Sequence, residues 1–96
     1  MKSQTNFSLE QNYPNPFNPV TKISFHIPNV GDALYASATL GIYNILGELV
    51  TTLINQNLSA GKYEIEFDAS NLTSGIYYYR LLTNNFTQTR KMLLVK

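Results

Sequence analysis

Ninety-six residues make one domain with one core and leave little room for a second. Charged residues form only 14% of the chain, against seven Tyr and five Phe, a balance that argues against disorder and for a β-rich fold. A net charge of +1 gives no basis for binding nucleic acid, and the lack of cysteine excludes disulfide scaffolds, thiolate metal sites and cysteine nucleophiles.

No membrane insertion is expected, because no apolar run exceeds Met92–Val95. The opening MKSQTN has no apolar stretch and is not a Sec signal, so any export address is expected elsewhere. All six acids fall within residues 1–68, whereas residues 69–96 hold Arg80, Arg90, Lys91 and Lys96. Two readings fit that split: sandwich faces that attract each other, or a basic C-terminal edge offered to a partner.

In chain order, residues 6–11 read as a first strand. The block N-Y-P-N-P-F-N-P follows at 12–19. Each proline fixes its own φ, removes a backbone donor and pushes the residue before it to extended geometry. Pro14, Pro16 and Pro19 therefore predict a stiff crossing that carries the first strand over to the second sheet. Tyr13 and Phe17 are expected to pin it to the core, and the Asn side chains to bond nearby backbone.

Residues 20–27 alternate, with Ile23, Phe25 and Ile27 against Lys22, Ser24 and His26, as a half-buried strand does. His26 is the sole histidine and falls on the wet face, with no partner nucleophile in view. After the turn signals of 28–32, residues 36–43 repeat the alternation through Ala38, Leu40 and Ile42. Residues 48–54, ELVTTLI, do not alternate cleanly and predict a bulge or a rotated edge.

Residues 62–68 set Tyr63, Ile65 and Phe67 against Glu64, Glu66 and Asp68. Three carboxylates in a row read as a solvated face opposite lysine rather than as a calcium site. In L-T-S-G-I-Y, residues 72–77, Gly75 makes a tight turn and Tyr77 stands where a tyrosine corner bonds back to upstream backbone. Over 76–83, Tyr77, Tyr79 and Leu81 point one way and Ile76, Tyr78, Arg80 and Leu82 the other. Tyr43 and Tyr78 are the outward rings on which a saccharide would stack. The last strand, 86–95, carries Met92-Leu93-Leu94-Val95, apolar on both faces and flanked by Arg90, Lys91 and Lys96. Such a strand either lies partly under a loop, with the cations as guards against aggregation, or is docked by a receptor.

Seven short strands with turns between them and no helical stripe predict an all-β, antiparallel immunoglobulin-like β-sandwich, without that fold's disulfide or Trp. The order NYPNPFNP, VTKISFHIP, IYNILGELVTTL, SAGKYEIEFDASNLTSGIYYYRL and TRKMLLVK resembles the type A C-terminal sorting domain of the type IX secretion system. The likeness covers about residues 9–96 of a single domain spanning 1–96. Gly41, where a longer side chain is usual, and the apolar segment 32–37 are its departures.

The resemblance implies a sorting domain, not an enzyme, with no cofactor or metal. Its partners would be the type IX translocon, a sortase-like peptidase and a cargo fused on its N-terminal side. The cargo would pass the periplasm and outer membrane, to be secreted or held at the cell surface. The resemblance places recognition at the C-terminal end, here Thr89–Lys96. Within it Arg90, Lys91, Met92, Leu93, Leu94, Val95 and Lys96 are the expected contact residues, and Pro14, Pro16, Phe17, Pro19, Gly75 and Tyr77 the expected structural motif. The rival class is an accessory adhesive or carbohydrate-binding module of a cell-surface enzyme.

Overall fold

The computed structural model describes residues 6–29 and 35–96. Among these residues there are seven strands: β1 (Ser8–Leu9), β2 (Val20–Ile27), β3 (Ala36–Tyr43), β4 (Leu49–Leu58), β5 (Gly61–Asp68), β6 (Gly75–Thr83) and β7 (Thr87–Leu94). They form two antiparallel sheets, ordered β1-β2-β5 and β4-β3-β6-β7. This is the expected sandwich. Its fourth strand pairs with β3, not β5, and so belongs to the larger sheet.

The period-two pattern decides what is buried. Ile23, Phe25 and Ile27 of β2 meet Ala38, Leu40 and Ile42 of β3, Tyr79 and Leu81 of β6, and Met92 and Leu94 of β7 in one core. Burying each large apolar side chain contributes about 1.5–3 kcal/mol, and these inward rows are the main source of stability. Phe25 and Tyr63 are directly opposed on β2 and β5, and their rings stack at 5.3 Å.

Residues 48–54 are irregular as expected. The β3–β4 register shifts twice, between Leu40 and Gly41 and between Ile42 and Tyr43. Each shift leaves one residue of the edge strand unpaired, which twists that edge away from further pairing. The strand also runs past the expected end, because Ala36–Thr39 pair with Asn55–Leu58. The first strand is shorter than expected, since only Ser8 and Leu9 pair in a continuous ladder with β2.

Gly41 has a packing reason. A Cβ there would lie 3.1 Å from both Tyr43 Oη and Leu49 Cδ1. The missing side chain lets the Tyr43 ring lie back along its own strand. Its hydroxyl then accepts a 2.6 Å bond from Arg80, whose guanidinium sits 4.6 Å from the ring centroid. The other departure, the segment 32–37, lies largely outside the described residues.

The two charge classes meet at one end of the sandwich, where the Lys96 charge helps hold the Asp68 carboxyl in its ionised form, and elsewhere they lie on separate faces. Glu64 and Glu66 are exposed on the smaller sheet, where Lys22 approaches Glu64 at 3.8 Å. Lys91 points outward from the other sheet. An exposed pair of that kind contributes under about 1 kcal/mol.

Candidate functional site: the last strand and its proline clasp

The alternation of β7 sorts the residues expected at the recognition end. Met92 and Leu94 are buried among the core residues. Lys91, Leu93 and Val95 are exposed. Arg90 lies on the inward side of the alternation, and its Nε donates to the carbonyl of Leu9, tying β7 to β1. Lys96 is exposed but anchored: its backbone N donates to Ser74 Oγ at 3.0 Å and its Nζ to the Ser70 carbonyl at 2.6 Å. Nearby, the Ser70 hydroxyl and N–H both donate to Asp68, and with the Lys96 charge they hold that carboxyl below its ordinary range.

The proline block does not carry the chain to the other sheet. Both β1 and β2 belong to the smaller sheet and pair with each other. The block instead makes an excursion to the free edge of β7 and returns. Phe17 N donates to Leu93 O at 3.0 Å, Val95 N to Phe17 O at 2.9 Å, and Leu93 N to Asn15 Oδ1 at 3.0 Å. Phe17 and Leu94 thereby form a parallel bridge. Gln11 Nε2 adds a 2.8 Å bond to the Lys91 carbonyl.

Prolines donate no hydrogen bond, so these ladder contacts fall on the residues between them. The carbonyls of the prolines still accept. Pro14 O takes Thr21 Oγ1 at 2.8 Å and Asn12 Nδ2 at 3.1 Å, and Pro19 O takes Ala69 N at 2.8 Å. The peptide bonds before Pro14, Pro16 and Pro19 are all cis. Pro16 and Pro14 lie exposed, their rings outward. Phe17 pins the block as expected, buried and 6.3 Å from the Phe67 ring. Tyr13 does not. It is 80% exposed, because its backbone bridge to Lys22 turns the ring to solvent.

The block is also held from inside. Tyr79 is fully buried, and its hydroxyl accepts from Asn12 N and donates to Glu10 O, both at 2.7 Å. Burial pushes its pKa up to about 12 despite the Asn12 bond and the Arg90 charge. Asn12 and Thr21, buried polar residues, bond each other at 3.0 Å. Asn12 bonds nearby backbone as expected, at Pro14 O, whereas the contacts of Gln11, Asn15 with β7, Thr21 and the Tyr79 hydroxyl were missed in the sequence. For Asn15 the signal available was its place between two prolines.

The tyrosine corner is present. Tyr77 Oη donates to the Thr73 carbonyl at 2.7 Å. Gly75 precedes it with φ of 149°, a conformation that L side chains rarely adopt. The register then pairs Gly75 with Leu94, so this corner sets where the end of β7 lies.

The chemistry weighed elsewhere on the chain has ordinary partners. His26 Nδ1 lies 3.1 Å from the Asn6 carbonyl. Among the described residues no group of three or more His, Asp or Glu is placed to hold a metal ion. One face of the Tyr43 ring is occupied by Arg80. What the geometry does build is a C-terminal strand fastened to residues 11–17, with alternate side chains turned out. A family model described as the secretion system C-terminal sorting domain matches residues 11–96, from the start of that clasp to the last residue.

The chain belongs to the type IX secretion C-terminal sorting domain family. A search of curated proteins found no match. The sorting domain is the C-terminal signal of type IX secretion, and proteins that carry it are exported to the cell surface or secreted through the outer membrane. It works with the type IX machinery on a cargo fused on its N-terminal side.

Proposed function

We propose that the translocon of this machinery reads the folded sorting domain through its C-terminal segment, Arg90–Lys96, and that the cargo follows. A sortase-like peptidase then separates the domain from the cargo. The domain itself is non-catalytic and takes no cofactor. The observation that carries this reading is the division of labour along the segment. Met92 and Leu94 are held in the core while Leu93 and Val95 are 38% and 46% exposed. A strand fixed in this way presents its alternate side chains at a set spacing, at low entropic cost to a receptor.

The test is a fluorescent protein carrying a Sec signal at its N-terminus and residues 1–96 at its C-terminus. It is expressed in a bacterium with an intact type IX system and in a translocon-deficient strain. Fluorescence outside the cell in the intact strain alone is the expected result. Retention in the periplasm of both strains, with the domain shown to be folded, would remove the proposal.

A further inference from the structure

Type IX machinery has two ways to grip a β-sandwich: pairing with a sheet edge, or covering a sheet face. The edges are poorly placed for it. The free side of β7 from Leu93 to Val95 is taken by Asn15 and Phe17, and Lys91 O by Gln11. The β4 edge is broken by two register shifts. The β5 edge strand alternates Lys62, Glu64, Glu66 and Asp68 along its exposed side, a row that guards against strand addition.

The two outer faces differ in chemistry. On the smaller sheet, charges of both signs lie side by side, with Lys22 next to Glu64. The strands of the larger sheet hold Arg80, Arg90 and Lys91 and not one carboxylate. Its outward side is also apolar toward one end. Ile76 is directly opposite Leu93, and both are about two-fifths exposed. Tyr78 is directly opposite Lys91 in the adjacent row. Val95 follows Leu93 by two residues and is likewise exposed. Large apolar residues gathered at one end of a sheet face mark a contact surface, and a cation at its margin with no ion-pair partner among the described residues calls for an anionic counterpart.

We infer that the sorting domain is read through a two-strand side-chain surface, Ile76 and Tyr78 of β6 with Lys91, Leu93 and Val95 of β7, by a machinery component presenting an apolar surface with a carboxylate beside it. This rests on the proposed reading of the C-terminal segment and sharpens it. Recognition is shared with β6, far from the C-terminus in sequence, and the main chain of β7 takes no part. Arg90, Met92 and Leu94 position the surface without touching the receptor.

The test compares export of the same fusion carrying Ile76→Thr with Leu93→Thr, or Lys91→Glu, against the unaltered domain. Threonine keeps the strand preference while removing apolar area. A control pair, Glu64→Gln with Glu66→Gln, alters the opposite face. Purified domains are melted to establish that each variant is folded. We expect export to fall about tenfold or more in the double threonine variant and in Lys91→Glu, as for central interface residues, and to stay at the unaltered level in the control. Unaltered export from both test variants, with the parent fusion exported, would overturn the surface and leave the C-terminal reading in place. Failure of the parent fusion to leave the periplasm would bring down both.

Discussion

Two tyrosines two residues apart do different work, and the difference is measurable. Tyr77 donates one hydrogen bond to Thr73 O, four residues upstream. Tyr79 accepts one and donates one, to groups 67 and 69 residues away. Tyr77→Phe should therefore cost about 1 kcal/mol, and Tyr79→Phe about 2 kcal/mol or more, because it also leaves buried backbone groups without partners. Urea denaturation of both variants checks the order; equal losses would contradict it. The raised pKa of Tyr79 adds a pH test. Its neutral form is favoured in the folded state, so its contribution is complete below the ordinary tyrosine pKa near 10 and is lost as pH rises toward 12. Tyr79→Phe should flatten the fall in stability across that window. The Tyr77 corner was legible in sequence, since a glycine and a fixed short offset specify it. The Tyr79 hydroxyl was not, because alternation says which face a side chain takes and nothing about a partner almost seventy residues distant.

At the scale of elements, the proline block and β7 act as one unit. Asn15→Ala removes the acceptor for Leu93 N–H at an exposed site. Its cost should stay within about 1 kcal/mol, yet hydrogen exchange at Leu93 should quicken markedly. The amides of Met92 and Leu94 point to the other side of the strand and should keep their protection. Unchanged exchange at Leu93 would mean that the clasp is open in solution. The bounds of β2 and β3 follow directly from the sequence pattern, because both strands have one buried and one wet face. Half of β4 escaped the same reading. Its Asn55-Gln56-Asn57 is an edge run exposed to solvent, and its pairing with β3 leaves no apolar period to see. The block was legible as rigid and non-helical. Its target was not, since proline rules govern local conformation and are silent on which distant edge the segment will cover.

For the molecule as a whole, the C-terminal end proposed as the address is also structure. Deleting residues 91–96 removes two core side chains, Met92 and Leu94, and the pairing partners of Gly75, Ile76, Tyr77 and Tyr78. Each lost core side chain alone costs about 2–5 kcal/mol, against a total stability of about 5–15 kcal/mol for a domain. The truncated chain should show no cooperative melting transition and no export. A cooperative melt near that of the full chain would refute this. Truncation therefore cannot separate reading from folding, whereas exchanges of outward side chains can. The sandwich and the family were both legible in sequence, the first from period and turn spacing, the second from several blocks in one order.

The parallel bridge between Phe17 and Leu94 has a mechanical meaning. The cargo lies on the N-terminal side of the clasp, while the proposed grip is on the C-terminal side. In two parallel segments those ends lie at opposite extremes of the shared stretch. A pull between cargo and translocon therefore loads the Phe17–Leu93, Val95–Phe17 and Leu93–Asn15 bonds in shear, all at once, instead of unzipping them in turn. Under the proposed reading, tension along the export axis is resisted at the clasp, beside the segment proposed to be read. Single-molecule pulling from the two ends should register that resistance as the main rupture peak, lowered by Asn15→Ala.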